Sequence, residues 1–191
     1  MATKINFDKL KSDYEKFEAE REELILASRV VVQLSKKVIY SVHREDAKAA
    51  EKSIAEIKKA VKGFDKFKDP KHLASPSYKI AIQEYVEALC YAEYVKNNTL
   101  LSYESLGVDQ EYYLLGVCDL TGELVRKALS AGIKGTYDEA YKIREFVNEL
   151  YDELQSFDFR NSEVRKKFDQ IRWDLKKLDE MALQLKLKER K

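Results

Sequence analysis

Two pairs of acidic residues interrupt apolar stretches of the chain at helical spacing. Glu84 and Glu87 are three residues apart, and Asp119 and Glu123 are four apart. Residues at these spacings share one face of a helix. Burying four carboxylates together is costly unless a positive charge neutralises them. Clustered oxygen ligands suit hard cations such as Mg²⁺ or Mn²⁺, which activate water and stabilise the transition state of phosphodiester hydrolysis. The four residues are therefore a candidate metal-dependent hydrolytic site, with Glu84, Glu87 and Asp119 as its catalytic members.

The same spacing also fits a structural explanation. Each acidic pair can lie on a solvated helix face or form salt bridges with the nearby Arg126 and Lys127. Charged residues are rarely buried without a partner, so spacing alone favours this explanation.

Other chemistries find less support in the sequence. The two histidines, His43 and His72, do not follow a glutamate by three residues, so the Glu-x-x-His pair of di-iron bundles is missing. A helical nucleoside-triphosphate pyrophosphatase needs a second acidic pair near the first, but the only good match, Glu149 and Asp152, lies far downstream. No glycine-rich phosphate loop and no Cys/His or Ser/His/Asp grouping is evident.

Basic residues recur on the segment that precedes the acidic pairs. They are candidates for contacts to the phosphates of a nucleic acid, although a solvated face of a long helix explains the same pattern. The candidate RNA-binding residues are Arg29, Lys36, Lys37, His43, Arg44, Tyr78 and Lys79. The C-terminal cations are predicted to lie on the surface or between subunits, and they are Arg165, Lys166, Lys167, Arg172, Lys176 and Lys177.

The composition predicts an all-α protein. Only 6 Gly and 2 Pro occur in 191 residues, and 45% hydrophobic residues provide a core under a surface with 36% charged residues. The net charge of +1 argues against a strongly basic nucleic-acid binder but permits local patches. Cys90 and Cys118 are isolated in apolar runs, which predicts reduced thiols and a cytoplasmic location. No signal peptide and no membrane span are predicted.

The elements that must position these residues are six long helices and one short helix in a single domain, residues 1–191. Ser75, Asp109, Asn161 and Thr136 are predicted helix caps, the last through a capping box with Glu139. Glycines at 132 and 135 are predicted to flank a turn. The predicted helices span residues 7–44, 46–67, 76–97, 101–106, 110–130, 137–157 and 162–188.

Several of these segments resemble the translin/TRAX family, and in particular its TRAX-like catalytic subunits. Residues 28–44 (SRVVVQLSKKVIYSVHR) resemble the first-helix signature of TRAX, and residues 83–88 (QEYVEA) resemble its third-helix motif. Residues 113–124 (YLLGVCDLTGEL) are similar to its fifth-helix motif almost residue for residue. Residues 146–150 and 161–177 look more like translin. The resemblance is collinear over most of the chain and weak in the second helix and the termini.

The resemblance implies about seven helices of the translin type, with a long N-terminal helix, and a hollow oligomer that handles RNA inside. It implies a divalent-metal endoribonuclease centre at Glu84, Glu87 and Asp119, with Glu123 supporting the metal. The segment between Leu101 and Glu111 is shorter than in animal TRAX, which predicts a minimal prokaryotic-type member that assembles with itself, as a hexamer or an octamer. The alternative is a non-catalytic, translin-like subunit that binds RNA or single-stranded DNA.

Overall fold

The computed structural model describes residues 5–189, and within them the chain is all-helical. This confirms the predicted all-α class. The described part contains eight α-helices and one 3₁₀ turn at Gly63–Lys66. The helices are α1 (Phe7–His43), α2 (Ala47–Lys62), α3 (Pro70–Leu73), α4 (Pro76–Asn97), α5 (Tyr103–Leu106), α6 (Gln110–Lys134), α7 (Tyr137–Gln155) and α8 (Glu163–Glu189).

The long helices pack in an order that puts α4 and α6 at the centre of the molecule. The C-terminal half of α1 packs against α2 and α4, α4 packs against α6, and α6 packs against α7 and α8. All six long helices contribute to one continuous apolar core. No helix in the described range is both long and apolar enough to cross a membrane.

Local hydrogen bonds explain where several helices begin and end. The side chains of Ser75 and Asp109 accept hydrogen bonds from the backbone N–H groups of the first turns of α4 and α6, as predicted. Helix α6 ends at Gly135, whose φ of +84° is a left-handed conformation that glycine adopts without a steric penalty.

Four boundary predictions were wrong. Helix α2 ends at Lys62 and tightens into the 3₁₀ turn, because Gly63 is a poor helix former. Asp69 and Pro70 open the short α3 instead of only ending a helix, since the Asp69 carboxylate accepts the N–H of Lys71 at 2.8 Å. Helix α6 runs through Gly132, where the missing side chain leaves room for α8.

The fourth wrong prediction concerns the start of α8. Ser162, not Asn161, caps this helix, because its hydroxyl accepts the N–H of Arg165 at 3.2 Å. Thr136 does precede α7, but its hydroxyl bonds the carbonyl of Ala131 and no cap bond to the α7 backbone forms. The capping box is therefore incomplete.

Helix α1 carries a seven-residue apolar repeat along its whole length. Its second half buries this repeat, with Leu24, Val31 and Val38 fully inside. In its first half, every residue from 5 to 16 is exposed, including Phe7, Leu10 and Tyr14 at 58–69% exposure. We call residues 7–23 the N-terminal arm. An apolar stripe at heptad spacing is the pattern by which helices pair.

Candidate functional site

The two acidic pairs face each other across the contact between α4 and α6. Gly116 makes this contact close, because a Cβ atom at position 116 would lie 2.7 Å from Cβ of Val86 and 2.8 Å from the carbonyl oxygen of Gln83. Glu84 and Glu87 on α4 both interact electrostatically with Asp119 and Glu123 on α6. We call these four residues the acidic cluster.

The negative charges of the two glutamates on α4 are only weakly offset by nearby cations. Burial raises the pKa of Glu87 to about 8, and the negative charges of Asp119, Glu84 and Glu123 add to the increase. Burial also raises the pKa of Glu84, and Lys36 on α1 partly opposes this rise. The α4 side of the cluster therefore carries buried acidity with little positive charge close to it.

Asp119 is paired with a lysine from α8. The Nζ atom of Lys167 lies 2.5 Å from both carboxylate oxygens of Asp119, and both side chains are about one-third exposed or less. Burial raises the pKa of Asp119, and the hydrogen bond from Lys167 works in the opposite direction. Lys167, predicted to lie on the surface or between subunits, instead binds a member of the acidic cluster.

Glu123 is held by a histidine from α1. The Nε2 atom of His43 lies 2.5 Å from Oε2 of Glu123, and the hydroxyl of the buried Tyr91 lies 3.0 Å from Nδ1 of the same ring. Arg126 approaches Glu123 at 3.7 Å, whereas Lys127 pairs with Glu139 on α7 at 2.8 Å. The salt bridges considered as an alternative from sequence thus form only in part.

The acidic cluster has the ligand chemistry of a site for Mg²⁺ or Mn²⁺. Its donors are all carboxylate oxygens, and at Glu87 burial and three acidic neighbours outweigh the opposing charge of Lys167. Within residues 5–189, however, no three His, Cys, Asp or Glu side chains are grouped closely enough to hold a metal ion as they stand. Two of the four carboxylates turn instead to Lys167 and His43. The donor set fits a hard cation, and such a cation must compete with Lys167 for Asp119 and with His43 for Glu123.

The basic residues predicted on α1 divide between two faces of the helix. Lys36 and His43 lie at the acidic cluster, and Arg29 lies seven residues before Lys36 on the same face. Lys37 and Arg44 instead line a shallow groove between α1 and α2. Consecutive helical residues differ by about 100° in direction, so one stripe in the sequence becomes two surfaces.

The two predicted contacts at the start of α4 are occupied by protein groups. Tyr78 is half-buried between Phe64 and Tyr112, and burial raises its pKa. Lys79 forms ion pairs with Glu163 at 2.7 Å and with Glu111 at 3.5 Å. Neither side chain faces solvent freely in the described structure.

Sequence reasoning missed Lys167 and Tyr91 at the acidic cluster. Lys167 is 48 residues from Asp119, and Tyr91 is 48 residues from His43. A helical-face argument was available for Tyr91, which follows Glu84 and Glu87 at spacings of seven and four. No signal of this kind existed for Lys167, because it lies on a different helix among several similar lysines.

The all-helical fold and the placement of the acidic cluster define a class of helical bundle proteins with a carboxylate-lined face. Residues 19–189 match the family model described as the Translin family. The chain belongs to this family.

Two relatives illustrate the range of the match. The chain is 28% identical to translin of Gallus gallus over 125 residues, which cover 58% of this chain and 55% of that protein. It is 24% identical to translin-associated protein X of Rattus norvegicus over 213 residues, covering 87% and 72% of the two chains. The chain thus spans only about half the length of the translins that it matches.

Two solved structures share the fold over nearly the whole chain. The crystal structure of apo-NeC3PO is 34% identical, with a TM-score of 0.88 and coverage of 97% of this chain and 100% of that chain. The structure of AfC3PO in complex with duplex RNA is 24% identical, with a TM-score of 0.84 and coverage of 96% and 97%.

Proposed function

We propose that this protein is a metal-dependent endoribonuclease that cleaves single-stranded or structured RNA. The observation that carries the proposal is the convergence of four carboxylates from α4 and α6, with an excess of negative charge around the buried Glu87. A protein that only bound RNA through this face would repel its phosphates there. A cation between the carboxylates and the phosphate removes that conflict.

The residues of the acidic cluster have distinct roles in this proposal. Glu84, Glu87 and Asp119 hold Mg²⁺ or Mn²⁺, and Glu123, oriented by His43, supports them. A divalent cation bound there would activate water and offset charge on the scissile phosphate and leaving oxygen. Hydrolysis adds water across one P–O ester bond of the backbone. Lys36, whose charge lowers the pKa of Glu84, positions the RNA backbone by a sequence-independent contact.

One comparison supports an RNA substrate, and the N-terminal arm supports an assembly of several copies. The structure of AfC3PO with duplex RNA has the same fold as this chain. The exposed apolar stripe on the N-terminal arm suits packing against another helix, and we propose that copies of this chain form a homo-oligomer. The free, buried Cys90 and Cys118 suit a reducing compartment, and the proposed location is the cytoplasm.

Cleavage assays with labelled RNA test the proposal. We expect cleavage with Mg²⁺ or Mn²⁺, none with EDTA, and a rate lower by about 100-fold or more for the double variant Glu84→Ala/Glu87→Ala. Glu145→Ala, which removes an exposed glutamate from α7, is the matched control and keeps the parent rate. Unchanged cleavage by the double variant at saturating metal contradicts the assignment.

The second candidate is a non-catalytic subunit that binds RNA or single-stranded DNA. It is favoured by one observation, that Asp119 and Glu123 already contact Lys167 and His43 without a metal. In the same assays this function gives RNA that is retained by the protein, remains intact, and is bound equally well with and without EDTA.

A further inference from the structure

A groove lies between α1 and the first turns of α4, beside the acidic cluster. Its volume is about 580 Å³, within the roughly 300–1,000 Å³ of small-molecule sites. Its walls are mainly aliphatic, with a few polar groups and two arginines at the edge. The lining side chains used below are Ile25, Ser28, Arg29, Val32, Ser77 and Ile80.

The floor of the groove contains a buried polar group without a partner. Ser28 is 2% exposed, and its hydroxyl forms no hydrogen bond within the part of the chain that the structure describes. A buried hydroxyl without a partner destabilises the folded protein. A ligand with a polar edge at the floor of the groove would lie next to this hydroxyl.

The edge of the groove attracts anions. Arg29 is exposed, and no ion pair or hydrogen bond involves it among residues 5–189. The 22-residue helix α4 begins at the groove, and the N-terminus of a helix carries partial positive charge. A ligand with an apolar body, a polar edge and a phosphate matches these three features together.

The groove continues along the helix faces that carry the acidic cluster. Ile80 precedes Glu84 by four residues, so the two side chains are about 6 Å apart along α4. Arg29 precedes Lys36 by seven residues on α1, a distance of about 10 Å along the helix. A strand whose phosphate lies at the acidic cluster therefore places its neighbouring nucleotide in the groove.

We propose that this groove binds one unpaired nucleotide next to the scissile phosphate, with the base against Ile25, Val32 and Ile80 and its phosphate at Arg29. The inference rests on the proposed function for the identity of the strand as RNA. Apolar side chains can pack against the flat face of any base. The groove therefore selects an unpaired nucleotide over a paired one, and it discriminates little between the four bases. A paired strand would therefore have to open before one of its nucleotides could enter the groove.

The test measures nucleotide binding without cleavage. The full-length protein is labelled at isoleucine δ1 methyl groups and titrated, in EDTA, with AMP, ribose 5-phosphate or inorganic phosphate. We expect AMP to shift the methyl signals of Ile25 and Ile80 saturably, and ribose 5-phosphate to bind at least about fivefold more weakly. Ile133, which is 87% exposed on α6, serves as the internal control and does not shift.

A pair of arginine variants tests the phosphate contact. Arg29→Ala weakens AMP binding about fivefold or more, whereas Arg160→Ala, in the segment before α8, leaves it unchanged. Both arginines are exposed, so neither variant should affect folding.

Three results overturn the inference. Equal shifts with all three ligands mean a simple anion site. Equal AMP binding by Arg29→Ala and the parent removes the phosphate contact. Absence of AMP-induced shifts also overturns it, and dissociation of an oligomer by Ile80→Arg would then mean that a second copy of the chain covers the groove. Because the titration needs no metal, a protein that binds AMP but never cleaves RNA refutes only the nuclease proposal.

Discussion

At the scale of single residues, the acidic cluster combines partly buried carboxylates with a few basic side chains that contact them. Burial and its acidic neighbours raise the pKa of Glu87 to about 8, and the charge of Lys167 on α8 opposes this increase only in part. Asp119 and Glu123 have their own partners, Lys167 and His43. Substitutions of the acidic residues on α4 and on α6 should therefore have different effects on the free energy of unfolding of the metal-free protein.

Removing the charge of Glu87 should stabilise the metal-free protein. Its pKa is higher in the folded state than the ordinary 4.5, so the folded protein retains a proton that the unfolded chain releases, and stability falls as pH rises from about 4.5 to 8. Glu87→Gln should raise the free energy of unfolding by ~1–3 kcal/mol at pH 8 in EDTA and change it little near pH 4.5. Denaturant unfolding at both pH values measures this, with Glu145→Gln as the control. A variant no more stable than the parent at pH 8 would show that Glu87 is compensated in solution.

Removing Lys167 should strengthen metal binding. A cation that binds Asp119 must displace Nζ of Lys167 from both carboxylate oxygens. Lys167→Met should therefore lower the Kd for Mn²⁺ by about tenfold, and lower the melting temperature in EDTA because Asp119 loses its partner. Calorimetric titration measures the Kd, and Lys166→Met, at the exposed neighbouring lysine, is the control. Weaker Mn²⁺ binding by Lys167→Met would instead make this lysine a supporting part of the metal site.

At the scale of helices, the site depends on the distance between α4 and α6. Gly116 allows the two backbones to approach, and Thr121 on α6 donates a hydrogen bond at 2.9 Å to the buried Asp174 on α8. The first contact positions the two acidic pairs, and the second fixes α6 against the helix that supplies Lys167.

Two glycines of α6 provide a matched test of this spacing. Gly116→Ala places a methyl group against Val86 and the carbonyl of Gln83, and we expect a loss of ~1–3 kcal/mol of stability together with weaker Mn²⁺ binding. Gly122→Ala meets no atom within 4 Å and should stabilise the helix by up to about 1 kcal/mol. Thermal unfolding and calorimetric titration check both variants. Equal effects of the two substitutions would mean that helix spacing does not control the site.

At the scale of the whole molecule, the N-terminal arm is the part of the described chain that contributes least to the core. Its apolar stripe continues the repeat that the second half of α1 buries against α2 and α4. Exposed apolar side chains in a continuous stripe favour association with another surface. The arm is therefore the first segment to test for the proposed self-assembly.

Charges on the stripe should reduce self-association. The double variant Leu10→Glu/Tyr14→Glu should lower the mass measured by light scattering at a given protein concentration, because burying the new carboxylates is unfavourable. Lys9→Glu/Lys16→Glu introduces the same two side chains on another face of the arm and should keep the parent mass. If Leu10→Glu/Tyr14→Glu keeps the parent mass and secondary structure, the copies associate through other surfaces.

The sequence by itself determined the all-α class and most of the helices. Scarce glycine and proline, apolar periodicity and polar caps such as Ser75 and Asp109 act over a few residues, so they can be read locally. Helical spacing also paired Glu84 with Glu87 and Asp119 with Glu123. The boundaries at Gly63 and Gly132 were missed, because a glycine can end a helix, as at Gly63, or continue it where another helix packs against it, as α8 does at Gly132.

Only the tertiary structure decided which residues meet. In the folded chain, α4 and α6 pack closely at Gly116. Lys167 on α8 contacts Asp119, and His43 on α1 contacts Glu123. The fold also separates Lys37 and Arg44 from the acidic cluster. Such contacts join residues tens of positions apart, and they depend on how helices cross and rotate. Those angles follow from the packing of the whole core, which no local pattern encodes.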